Sequence, residues 1–370
     1  MNILVTGGAG FIGSHIVDAL VSQGHRVRVF DNLDPQVHPE GKLPAYVNRY
    51  ADYIHGDMRN IEELRTALHE VEIVFHKAAA VGMGQSQYQI KHYVDTNTGG
   101  TANLLELLAN TRHSVRKVIV AASQSSYGEG CCQRSDGSVI QPAFRGEEQL
   151  QNAQWENLDP QTGQPMMPTP TPESAQTNCQ AIYAITKRDQ EEMLMSIAKT
   201  YDIPAVALRY FNVYGTRQSL SNPYTGVIAI FMSRIANGKP PVIYEDGLQS
   251  RDFVSVYDVV QANQRAMDNE EANYQVFNVG TGKPISILEV AETLIRIYGA
   301  DLQPEVTGKY RKGDTRHCYA DISKIQEKLG YLPKVNFEEG LREIVEWSRT
   351  TEAVDRFEEA AKELANRGLI

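Results

Sequence analysis

Thr6-Gly7-Gly8-Ala9-Gly10-Phe11-Ile12-Gly13 stands between a short apolar run, Ile3-Leu4-Val5, and a helical pattern over residues 12–22. Glycines at 7, 10 and 13 have separate uses in such a place. The first permits a tight turn, the second lets backbone approach a pyrophosphate, and the third lets helix and strand pack closely. The helix that follows aims its N-terminal amides at the phosphates. Gly7, Gly10, Phe11, Ile12 and Gly13 are therefore candidate cofactor contacts. Three spaced glycines alone carry little weight, but between a strand and a helix they predict a dinucleotide-binding turn.

Moving outward, the second apolar run ends at Phe30-Asp31-Asn32, with Asp31 lying 24 residues after Gly7. A carboxylate there accepts hydrogen bonds from the adenosine ribose and repels a 2′-phosphate, which favours NAD over NADP. Asp57-Met58 follows the next short strand. Asp57 suits the adenine amino group, and a solvated turn suits it equally well.

Apolar runs at 3–6, 26–30, 72–75, 117–122 and 205–210 alternate with helical patterns at 12–22, 61–69, 101–109 and 184–200. Such alternation predicts an α/β fold: a Rossmann-like doubly wound parallel sheet covered by helices on both faces. After Tyr210 the pattern turns mixed, with Pro and Gly punctuation, and predicts a smaller mixed α/β C-terminal substrate domain. The expected division is 1–211 for the nucleotide domain, with 251–280 returning to it, and 212–250 with 281–349 for the substrate domain. Residues 350–370 read as a C-terminal amphipathic helix. Residues 130–176 are polar and aperiodic, a stretch long enough to be a functional loop or an ordered insertion.

The 370 residues carry a formal net charge of −10, with no basic block. Nucleic acid and anionic membrane surfaces are poor partners for such a chain, so an anionic ligand must be held by a few local arginines. The four cysteines (Cys131, Cys132, Cys179 and Cys318) lack paired spacing. They read as free thiols of a reducing compartment, and no metal site is expected. With no leader pattern and no long apolar segment, the expectation is a cytoplasmic protein.

Tyr183-Ala184-Ile185-Thr186-Lys187 places a phenol and an ammonium on one helix face. A tyrosine normally loses its proton at about 10; a lysine cation and a nicotinamide ring beside it should lower that value and make a general base. Ser123, at the end of the fourth apolar run, would hydrogen-bond the substrate hydroxyl that Tyr183 deprotonates. Any amphipathic helix can show a YxxxK spacing by chance; joined to the glycine turn and the hydroxyl strand end, chance explains it poorly.

These residues, with His76-Lys77-Ala78-Ala79-Ala80, Asn97, Arg209-Tyr210-Phe211-Asn212, Arg251-Asp252-Phe253 and Lys312-Gly313-Asp314, resemble the extended short-chain dehydrogenase/reductases. The resemblance reaches to about Trp347 and is to their NAD-dependent nucleotide-sugar epimerases and dehydratases. It implies catalysis by Ser123, Tyr183 and Lys187. It also implies NAD contacts at Asp31, Asn32, Asp57, Met58, Ala78, Ala79, Ala80 and Asn97, with a core or capping role as the alternative for Asn97. A nucleoside-diphosphate sugar would meet Ser125, Asn212, Val242, Tyr244, Arg251 and Arg311 or Arg316. For Arg316 a salt bridge is an even alternative, and His76 reads as structural. A homodimer through the helices holding Asn97–Ala109 and Tyr183–Lys199 is implied as well.

All such enzymes begin by oxidising C4 of the sugar. Dehydratases of this type then need an Asp-Glu pair directly after the Ser/Thr position, and decarboxylases a Glu at the second place. Here those places hold Gln124 and Ser125. Neither supplies a carboxylate, whereas 4-epimerisation needs none, so epimerisation is expected. A recruited acid such as Glu129 keeps dehydration as the alternative. The 60-residue interval from Ser123 to Tyr183, with Tyr127-Gly128-Glu129, Arg145 and Trp155-Glu156, resembles a subgroup that includes the dTDP-L-rhamnose 4-epimerases.

Overall fold

Val, Ile and Leu fill the apolar runs, and side chains that alternate along a strand must find cover on two sides. In the computed structural model, which describes residues Met1–Ile370, the five runs and two further segments form seven strands. These are β1 (Asn2–Thr6), β2 (Arg26–Asp31), β3 (Asp52–His55), β4 (Ile73–His76), β5 (Lys117–Ser123), β6 (Ala205–Tyr210) and β7 (Gln275–Val279). They lie in the order β7-β6-β5-β4-β1-β2-β3, and every neighbouring pair is parallel. All residues of β4, β5 and β6 are buried.

The period of two divides each strand between two cores. Ile3, Val5 and Ile119 pack with Ile16, Leu20 and Val259 on one face. Leu4, Val118 and Val120 pack with Leu104, Leu108 and Leu194 on the other. Strand order reverses between β1 and β4, so a crevice opens at their carboxyl ends, where α/β sheets bind ligands. The glycine turn leaves β1 there, Lys77–Ala80 leave β4, and Ser123 ends β5.

Beyond β6 a third core gathers Phe253 with residues of helices Val227–Ala236, Ile287–Tyr298 and Phe337–Ser348. Its small sheet is mixed. Strand Ser250–Ser255 pairs in parallel with Asn212–Tyr214 and His317–Cys318, and antiparallel with Pro284–Ser286. The 130–176 stretch is an ordered insertion. Cys132–Gln133 lies between Val139–Ile140 and Met167–Pro168, all antiparallel. Strands of two residues carry no readable alternation, which is why the sequence looks structureless here.

Helix Phe357–Asn366 closes the chain. Its Leu364 lies against Gly84, and Glu363 accepts a hydrogen bond from the Tyr224 hydroxyl at 2.7 Å. No helix is long and apolar enough to cross a membrane.

Arg209 of β6 ties the sheet to the helix that carries Tyr183. Its guanidinium meets both oxygens of Glu191 at 2.9 and 2.5 Å and donates to the Tyr127 hydroxyl at 2.8 Å. Both side chains of the ion pair are 7% exposed. Removing one member of such a pair strands a buried charge, at about 3–5 kcal/mol. Arg209→Met should lower unfolding stability by that amount in urea denaturation, and adding Glu191→Leu should recover part of the loss.

Candidate active site

The glycines divide their work. Gly7 has φ +68°, and a Cβ there would meet Ala78 N at 2.7 Å; a Cβ on Gly13 would collide with the Gly7 carbonyl oxygen. Around Gly10 the nearest atom would be the Gly7 oxygen at 3.4 Å, so its outer side stays open. Two glycines allow close packing and the middle one leaves a cradle for an approaching phosphate. Behind them Phe11 packs edge-on against His15, and Ile12 packs on the first core.

Asp31 accepts Ala9 N at 3.0 Å and Leu33 N at 2.9 Å, so its carboxylate fastens the end of β2 to the glycine turn. Asn32 donates to Asp57 at 2.9 Å. Burial opposes the charge on Asp57, but hydrogen bonds from Arg59 and Asn32 outweigh it and hold the carboxyl at about 2. The Met58 side chain is buried in the second core, and its carbonyl accepts from Asn103.

Asn97 is fully buried in a single turn of π-helix, Val94–Gly99, a feature frequent at functional sites. It accepts Ala80 N at 2.7 Å, and its amide donates to Ala80 O and to Thr186 Oγ1, both at 3.0 Å. With every polar atom committed, Asn97 splices the Ala78–Ala79–Ala80 segment to the helix of Tyr183. The core alternative describes it better than a ligand contact.

Ser123 is a hydrogen-bond partner of Tyr183, and Lys187 lies one turn further along the same helix, Ile182–Tyr201. Burial pushes the Tyr183 phenol up to about 12, and a hydrogen bond with Ser123 works against that rise. Burial alone brings the Lys187 ammonium down to about 7. Desolvation thus outweighs the Ser123 hydrogen bond; the expected lowering counts on the nicotinamide ring as well as the lysine. Lys187 donates to Gln190 Oε1 at 2.7 Å, a partner that the sequence reading missed because a glutamine on a helix carries no signal.

Ser125 donates to Ser123 Oγ at 2.9 Å. Asn212 keeps a buried side-chain oxygen without a partner, an acceptor available to a ligand. Arg251 reaches Asp314 at 3.3 Å and the Thr315 carbonyl at 2.5 Å. Arg311 pairs with Asp314 at 2.8 Å and lies 5.3 Å over the Tyr244 ring, and its side chain is 43% exposed. Val242 pairs with Glu305 beside them.

Arg316 differs from the expected phosphate grip. Its side chain is 0% exposed, and its donors go to Glu156, Glu245 and Asp246 at 2.5–3.1 Å. No donor remains for a substrate. Glu129, the acid that kept dehydration open, is likewise engaged: both oxygens accept Arg316 N at 2.9 Å, and Asn157 donates to one of them at 3.2 Å. Burial pushes its carboxyl up against the pull of Arg145.

A family model described as NAD dependent epimerase/dehydratase matches residues 3–152, and one described as GDP-mannose 4,6 dehydratase matches residues 163–344. A dTDP-L-rhamnose 4-epimerase of Burkholderia thailandensis is 36% identical over 348 residues, covering 93% of this chain and 94% of that protein. Among solved structures, Thermotoga maritima UDP-glucose 4-epimerase with UDP-glucose superposes with a TM-score of 0.77 at 35% identity, covering 95% of this chain and 99% of that one. Thermus thermophilus UDP-glucose 4-epimerase in complex with NAD does so with 0.75 at 30%, covering 95% and 100%. Glycine turn, Tyr183-Lys187 pair and whole-length likeness agree: the chain belongs to the NAD-dependent epimerase/dehydratase family of extended short-chain dehydrogenase/reductases.

Proposed function

We propose that the protein is an NAD-dependent nucleoside-diphosphate-sugar 4-epimerase, and that dTDP-L-rhamnose or a UDP-hexose is its kind of substrate. The observation that carries this reading is Ser123-Gln124-Ser125: a Tyr183-Lys187 pair faces a strand end with no carboxylate at either place where elimination needs one. The relatives described above support the reading, each being named a 4-epimerase.

The cradle at Gly10 and the carboxylate of Asp31 fit NAD, whose adenosine ribose Asp31 would hold. When bound, NAD supplies a hydride acceptor. Ser123 orients the C4 hydroxyl, and Tyr183 takes its proton as hydride leaves C4. Lys187 supplies positive charge beside the phenolate. The ketone then presents its other face, the hydride returns, and Tyr183 gives the proton back. Arg251 and Arg311, with forked donors suited to phosphate oxygens, grip the diphosphate. Residues 1–211 with β7 form the nucleotide half, and the third core carries the sugar nucleotide. A homodimer through helices Gly100–Asn110 and Ile182–Tyr201, in the cytoplasm, completes the reading.

The dehydratase model matched to residues 163–344 favours elimination as the second reading. Mass spectrometry of a panel of dTDP- and UDP-sugars incubated with the enzyme separates the two. Unchanged mass with a new chromatographic isomer is expected, and loss of water or of carbon dioxide would overturn epimerisation. Tyr183→Phe should keep its NAD and melting temperature while turnover falls by about 10²-fold or more. Full turnover in that variant would remove Tyr183 as the base.

A further inference from the structure

Trp155 of the insertion is held from both sides by buried charge. Its carbonyl accepts Arg145 Nη1 at 3.0 Å, and the same guanidinium binds Glu245 at 2.9 Å and the Asp314 carbonyl at 2.9 Å. The next residue, Glu156, binds Arg316 at 2.5 Å and His317 at 3.0 Å. This fixes the Trp155 backbone between two segments of the sugar-nucleotide half, one carrying Tyr244 and the other Tyr310 and Arg311. The indole lies 6.4 Å from the Tyr310 ring at 54°.

Trp155, Tyr310 and Tyr244 are each only partly buried, and none belongs to the three apolar cores. Large rings left half in solvent on a rigid backbone are poor core but good stacking surfaces. Arg311 beside them offers charge to an anion. Planar π-surface next to a guanidinium is the chemistry that recognises a nucleotide.

We propose that the insertion completes the nucleotide site, with Trp155 as a wall on which the pyrimidine base of the nucleoside diphosphate stacks, beside Tyr310 and Tyr244. This rests on the nucleotide-sugar reading above and adds a contact from outside the sugar-binding segments. It makes the insertion a determinant of base affinity, with no part in the transfer at C4.

The chain has two tryptophans, and Trp347 packs on the third core, so Trp347→Phe leaves Trp155 as the sole indole. Titrating that holoenzyme with dTDP and with UDP should quench or shift its emission, whereas pyrophosphate should not. Trp155→Ala should weaken nucleoside-diphosphate binding in calorimetry by about 5- to 150-fold. Pyrophosphate affinity should stay unchanged, KM for the nucleotide sugar should rise, and Trp155→Phe should retain most of the affinity. Should Trp347→Phe fold poorly, the emission change present in wild type and lost in Trp155→Phe gives the same readout. Calorimetric binding of dTDP or UDP without any change at Trp155 would overturn the stacking proposal alone. No binding of either nucleotide would overturn it together with the nucleotide-sugar reading.

Discussion

Strands buried on both faces end in polar groups that water does not reach, and such groups must be satisfied within the protein. At the carboxyl ends of β1 and β4 this requirement orders a chain of hydrogen bonds. Thr6 Oγ1 accepts Lys77 N at 3.1 Å and Ala78 N at 3.2 Å, leaving its proton for His76 Nδ1 at 2.8 Å. Burial brings His76 down to about 3, so it is neutral and carries its proton on Nε2. That proton goes to Thr101 Oγ1 at 2.9 Å, which also accepts Gln190 Nε2 at 2.8 Å and gives its own proton to Asn97 O at 2.6 Å. The Gln190 carbonyl is then free for Lys187. The place of the Lys187 ammonium is thus set by the strand that carries the glycine turn, through neutral groups only.

The insertion is attached by different means. Arg145 and Arg316 enter a buried cluster with Glu129, Glu156, Glu245 and Asp246. Glu245 sits at φ +54°, in the left-handed region that disfavours a side chain by about 1–3 kcal/mol. Two arginines on its carboxylate offset that strain. Buried ion pairs contribute little net stability but penalise every arrangement that leaves one member alone. Such a cluster fixes where the insertion sits more firmly than how strongly it is bound.

How much of this was legible follows from range. The glycine turn, Asp31, the strand ends and the Tyr183-Lys187 pair are local patterns, and the seven-stranded sheet brings them to one crevice. Arg316 was not legible, because its carboxylate partners come from positions 156, 245 and 246, far apart in sequence. Met58 and Asn97 sit where ligand contacts are expected but turn inward, and only the packing of Gly100 against Met58 and of Thr186 against Asn97 shows it. Spacing places a lysine one turn from Tyr183, but the desolvation that raises its phenol belongs to the whole fold.

The serine at position 125 does more than lack a carboxylate. Ser123 Oγ accepts Ser125 N at 3.2 Å and Ser125 Oγ at 2.9 Å, which occupies both of its lone pairs. Its single proton is left to point outward, where Tyr183 is its partner. A carboxylate at 125 could not donate in this way; it would accept the Ser123 proton instead and turn it from the phenol. Ser123 is thereby left as a hydrogen-bond donor toward the Tyr183 oxygen. In this chain position 125 holds a second hydroxyl that donates to Ser123, where elimination would need a carboxylate.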